Sequence, residues 1–130
     1  MIPFLRRHRH RIWLLLGLYW LVLFTATHLP PAHLPNAHFN DKVEHVAAFG
    51  LLTGALYVSL WSVKRPAWRI AAIVLPIVLI YGALDEQTQP LTGRTCDLRD
   101  WYADTVGAVG AVTVMVCWDA LSRPARHTPA

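Results

Sequence analysis

Apolar residues run almost unbroken through four parts of the chain, at 12–27, 43–63, 70–84 and 101–121, and polar residues gather between them. Three of these runs approach the ~20 residues that cross a ~30 Å hydrocarbon core, while 70–84 is shorter and has to borrow from its flanks. Pro76 lies inside that third run and predicts a kink, with neighbouring helices covering the carbonyl it frees. The expected fold class is all-α, a four-transmembrane-helix membrane bundle forming a single domain over 1–130. Composition agrees: 55% hydrophobic residues and a mean hydropathy of +0.34 exceed what an ordinary soluble domain carries.

The first run follows Arg6, Arg7, Arg9 and Arg11, as a signal peptide would. It is long for a signal, and the Pro-rich sequence after it offers no small-x-small site, so an uncleaved anchoring helix is expected. With four crossings, both termini and the middle connection share a side. That side holds Arg6, Arg7, Arg9, Arg11, Lys64, Arg65, Arg69, Arg123 and Arg126, nine of the twelve basic residues. The positive-inside bias therefore predicts a multi-pass protein of the cell membrane with both termini cytoplasmic. The net charge of +4 is then a topological signal and gives no reason to expect nucleic acid. Trp13, Trp61, Trp68 and Trp118 fall near the predicted inner ends, and Trp101 with Tyr102 opens the fourth helix at the outer one, as interfacial anchors.

The acids follow the opposite pattern. Asp41, Glu44, Asp85, Glu86, Asp97, Asp100 and Asp104, seven of the eight, lie at the helix ends predicted to face outward, and only Lys42, Arg94 and Arg99 oppose them. Carboxylates are costly near lipid, so this concentration points to a site. Asp41 and His45 are four apart and share a helical face, with Lys42 three from His45. Asp85, Glu86 and Gln89 share another face, and Pro90 ends that helix. Asp97, Asp100 and Asp104 form a stripe that continues inward through Gly107 and Ala111, while Gly50 and Gly54 stand at the spacing that lets helices approach closely. Arg94, just past the turn at Gly93, is the expected partner of Asp104.

Excess negative charge in a small space is resolved by a bound divalent cation, by protonation through mutual repulsion, or by water. His45, Asp85 and Glu86 are the candidates for acid–base chemistry, and Asp41, Lys42, Gln89, Arg94, Asp100 and Asp104 for ligand binding. No metal can be assigned from spacing alone. His28, His33 and His38 recur every five residues in a Pro-rich connection; this spacing defines no ligand geometry and predicts an exposed loop. Cys96 and Cys117 are too far apart along one helix to pair, which argues against thiol-oxidising chemistry.

Asp41-Lys42-x-x-His45, Asp85-Glu86-x-x-Gln89, Gly93-Arg94, Asp100 and Gly107, taken in order, resemble the VanZ-like family of bacterial membrane proteins. The resemblance covers about residues 40–110, with one departure: Asp104 stands where that family usually has Asn. It implies a cytoplasmic-membrane protein, with some members linked to glycopeptide (teicoplanin-type) resistance, and no established reaction.

Three functions are therefore weighed. The first is a protein that binds or acts on a cell-envelope lipid or lipid-linked wall precursor. The second is a structural or partner-binding membrane protein. The third is a small cation-coupled exporter, which the charge-free centres of all four runs disfavour. Lipid-phosphatase chemistry lacks its Ser-Gly-His element here. Membrane lipids are the expected partners in each case.

Overall fold

The structure, a computed structural model, describes residues 2–30, 41–63 and 66–122. Its helices are α1 (Ile2–Arg7), α2 (Arg9–His28), α3 (Asp41–Trp61), α4 (Ala67–Thr88) and α5 (Leu98–Leu121), with a short 3-10 turn at Gln89–Thr92 between the last two. Helices α2, α3, α4 with its following turn, and α5 are each long and apolar enough to cross a membrane. The all-α, four-span expectation holds, and the spans begin earlier than the apolar runs because helix continues into their polar flanks. Helix α4 borrows from both sides, and Pro76 lies within it. His33 and His38, and the basic residues Lys64, Arg65, Arg123 and Arg126, lie outside the described residues.

The outer surface, unlike that of a water-soluble bundle, is apolar too. Leu14, Leu15, Leu18 and Leu21 of α2, Ile80 and Leu84 of α4, and Val106 and Val114 of α5 are exposed. A row of bare aliphatic side chains is what lipid tails solvate without cost. The interior core is narrow: Leu16 and Leu23 of α2, Phe49, Leu52 and Leu56 of α3, Val74 and Val78 of α4, and Ala108 and Val112 of α5. Hydroxyls buried at this depth are satisfied within their own helix, Thr53 by the Phe49 carbonyl at 2.6 Å and Ser59 by the Ala55 carbonyl at 2.8 Å.

Helices α3 and α5 make the most extensive contact. Gly107 makes it possible: a Cβ there would meet the Val46 carbonyl oxygen at 2.2 Å, and a Cβ on Gly50 would meet the Gly107 oxygen at 3.4 Å. The expected Gly50–Gly54 surface is thus corrected. Gly54 has nothing within 4 Å of an added Cβ, because the partner of Gly50 is on α5 and the close approach stops there. Helix α2 joins through Tyr19, whose hydroxyl donates to the Ala48 carbonyl at 2.8 Å, and α4 through Trp101 of α5, whose indole donates to the Leu79 carbonyl at 3.1 Å. Trp101 is therefore half-buried and bonded between helices, not only an interfacial anchor.

Antiparallel packing brings the end of α2, the start of α3, the end of α4 and the start of α5 together. Gly93, at φ 81, lets the chain leave the 3-10 turn in the left-handed conformation that other residues resist. That end of the bundle collects the acids.

Candidate functional site

Helix α3 opens with Asp41, Lys42 and His45 within its first two turns, and α5 opens with Asp97, Asp100 and Asp104. The Gly50–Gly107 approach one turn deeper holds these two polar faces against each other. His45 Nδ1 lies 2.8 Å from Asp104 Oδ1, and both side chains are buried, at 7% and 2% exposure. The other ring nitrogen, Nε2, is turned toward Asp41 Oδ1 and Asp100 Oδ2, each 3.9 Å away. This corrects the expected Arg94–Asp104 pair: the partner of Asp104 is His45 on the facing helix.

Lys42 ties the rim. Its ammonium donates to Asp41 and Asp97 at 3.3 Å each and closely to Asp100. One ammonium thus serves three carboxylates. Asp97 also caps α5, accepting from the Arg99 backbone N–H at 2.8 Å. That bond, more than Lys42, holds its carboxyl below the usual carboxylate range.

The end of α4 supplies a second polar group. Asp85 Oδ1 accepts from Thr27 of α2 at 2.9 Å and from Tyr81, one turn earlier, at 3.2 Å. Gln89 donates to Asp85 Oδ2 at 3.3 Å and to Glu86 Oε1 at 3.0 Å, as the three- and four-residue spacing predicts. Glu86 Oε2 accepts the Asp97 backbone N–H at 2.9 Å, linking α4 to the start of α5. His28 also differs from expectation. It is the last residue of α2, not part of the loop, and its Nε2 lies 2.9 Å from Thr88 Oγ1.

A cavity of about 190 Å³ opens beside this network. Leu23, Ala26, Ala48 and Phe49 form an apolar wall; Asp41, Glu44, His45 and Arg94 supply polar groups. Arg94 makes one long bond, to the Leu29 carbonyl at 3.5 Å, and no ion pair among the described residues. A guanidinium offers five donors in a planar fork, so most of its capacity is unused among the described residues.

The structure therefore brings His45, Asp41, Lys42, Asp100 and Asp104 into one cluster and Asp85, Glu86 and Gln89 into a second, joined through Asp97. Arg94 stands apart from both, on the cavity. Thr27, His28, Tyr81 and Thr88 belong to the network and were absent from the sequence-based set. Tyr81 was within reach of it, being four residues before Asp85 on a helical face. Thr27 and His28 were not, because nothing local shows that the end of α2 faces the end of α4.

Among curated proteins and solved structures, none matches the chain. A family model does, and it covers residues 4–119, which takes in every helix of the bundle and the whole polar end. With four helices able to span a membrane and a family of membrane proteins matched over nearly its full length, this chain is a multi-pass membrane protein that belongs to the VanZ/LLP1 family.

Proposed function

We propose that the acidic end of the bundle binds the polar headgroup of an envelope lipid or lipid-linked wall precursor at the outer face of the bacterial cell membrane. The carrying observation is the pairing, in one cavity, of the under-used Arg94 fork with an apolar wall of Leu23, Ala26, Ala48 and Phe49. That combination suits an amphiphile. A phosphate or carboxylate meets the guanidinium bidentately, hydroxyls or ammonium groups meet Asp41 and Glu44, and the first methylenes lie along the wall. The outward orientation rests on the distribution of basic residues. If the headgroup is also transformed, His45 is the proton-transfer group, since Asp104 holds its ring and the residue lines the cavity.

A structural role is the second reading, favoured by Asp85. Thr27, Tyr81 and Gln89 all donate to it, so it fastens α2 to α4 and leaves little for a ligand. The test is overexpression in a bacterial host. Headgroup binding changes the envelope-lipid profile or teicoplanin susceptibility, and Arg94→Ala reverses the change while the protein still accumulates. An unchanged lipidome and drug profile with abundant protein leaves only the structural role; gradient-driven efflux of an ethidium-like cation points to the exporter instead.

A further inference from the structure

Asp104 keeps a feature that hydrogen bonding does not explain. Its Oδ1 faces His45, but its Oδ2 is fully enclosed and has no hydrogen-bond partner among the described residues. Leaving such an oxygen bare in a buried place is costly, more so for an ionised carboxylate. Oδ2 lies against Gly82, where even a Cβ would stand 3.2 Å from it, and Glu86 follows one helical turn later on the same face of α4. Ligand atoms of His45, Glu86 and Asp104 lie within 4.8 Å of one another, one residue from each of α3, α4 and α5, and all three side chains are buried.

We propose that His45, Glu86 and Asp104 bind a divalent transition-metal ion of the Zn²⁺ or Mn²⁺ kind between these three helices. The donor set of one imidazole and two carboxylates suits such ions, and two carboxylates neutralise a divalent charge. Ligands at roughly 2.0–2.2 Å from a tetrahedral Zn²⁺ stand about 3.3–3.6 Å apart, so atoms near the 4.8 Å limit need to close by about an ångström, a rotamer adjustment. The neighbouring group Asp41, His45 and Asp100 is also within 4.8 Å, but the Lys42 ammonium already occupies two of its carboxylates. No Lys or Arg forms an ion pair with Glu86 or Asp104 among the described residues, so the ion has no resident cation to displace there. His45 also lines the Arg94 cavity, which gives the ion a way in.

The experiment uses the full chain purified in detergent, stripped with a chelator and dialysed against Zn²⁺ or Mn²⁺ alone, with bound metal counted by mass spectrometry. One ion per chain and a raised melting temperature are expected, with X-ray absorption of the Zn²⁺ form showing nitrogen and oxygen scatterers, imidazole among them, and no sulfur. Glu86→Gln and Asp104→Asn, both near-isosteric, should weaken binding at least tenfold with helical circular dichroism unchanged. Asp41→Asn and Arg94→Ala should keep it. Absence of stoichiometric metal, sulfur in the first shell, or undiminished binding in both Glu86→Gln and Asp104→Asn overturns the proposal. So does loss in Asp41→Asn with retention in Glu86→Gln, which puts the ion in the Lys42 cluster. Headgroup binding through Arg94 is measured separately and stands or falls on its own.

Discussion

Helices α3 and α5 touch in two ways, one turn apart. Around Gly50 and Gly107 the contact is made of backbone, with the Val46 carbonyl so near that no side chain fits at Gly107. At His45 and Asp104 the same helices meet through a buried polar pair 2.8 Å apart, beside an oxygen that has no partner among the described residues. The first contact depends on shape alone, and any molecule that needs only a tight helix pair in lipid has what it requires there. The second adds little to association, since hydrogen bonds between membrane helices average about 0.6 kcal/mol. It retains a buried imidazole and carboxylate and, among the described residues, an acceptor without a partner, beside an open cavity. Holding the bundle together does not require those features, and the proposed ligand site would use them.

The contrast is broken most severely at the backbone contact. Gly107→Leu forces α3 and α5 apart and should exceed the ~1–3 kcal/mol of ordinary overpacking, seen as loss of membrane-accumulated protein or a collapsed melting temperature in detergent. Next in size is an asymmetry between the two ends. Cys96 near the acidic end and Cys117 near the other are both free and exposed. A membrane-impermeant thiol reagent should label Cys96 in cells with a permeabilised outer barrier and reach Cys117 only after the membrane is opened. The reverse pattern turns the acidic end toward the cytoplasm and removes envelope precursors as its ligands. Thr27→Val takes one donor from buried Asp85 and unfastens α2 from α4, at about 1–3 kcal/mol by thermal unfolding. A change too small to detect would show that Tyr81 and Gln89 suffice. Smallest is Gly54→Ala, within about 0.5 kcal/mol of wild type, because nothing lies near the added methyl.

Much of the fold was legible because hydropathy is a one-dimensional signal: four runs of the right length leave few alternatives in lipid. Contacts within one helix were legible too. The bonds of Gln89 to Asp85 and Glu86 follow from helical spacing alone. Contacts between helices were not. Gly50 and Gly54 carry the spacing of a close-packing face, but only the rotation of α5 decides that Gly107 meets Gly50 and leaves Gly54 bare. The same rotation gives Asp104 to His45 and sends Arg94, beyond the left-handed Gly93, to the cavity side near Leu29. Charge complementarity suggested Arg94 for Asp104 because sequence shows sign and order without azimuth. Thr27 and His28 were hidden for the same reason, standing at the end of an apolar run where they resemble interfacial residues.

The most direct measurement is native mass spectrometry of the full chain released from mild detergent, comparing wild type with Arg94→Ala. A headgroup site predicts that wild type carries a discrete set of phosphate- or carboxylate-bearing lipids, and that Arg94→Ala loses at least tenfold in their occupancy. Its stability to unfolding should stay within about 0.5 kcal/mol of wild type, because the Arg94 side chain makes a single long bond among the described residues. Equal lipid occupancy in the two proteins would contradict a ligand site at the acidic end and leave its buried carboxylates as fasteners between helices.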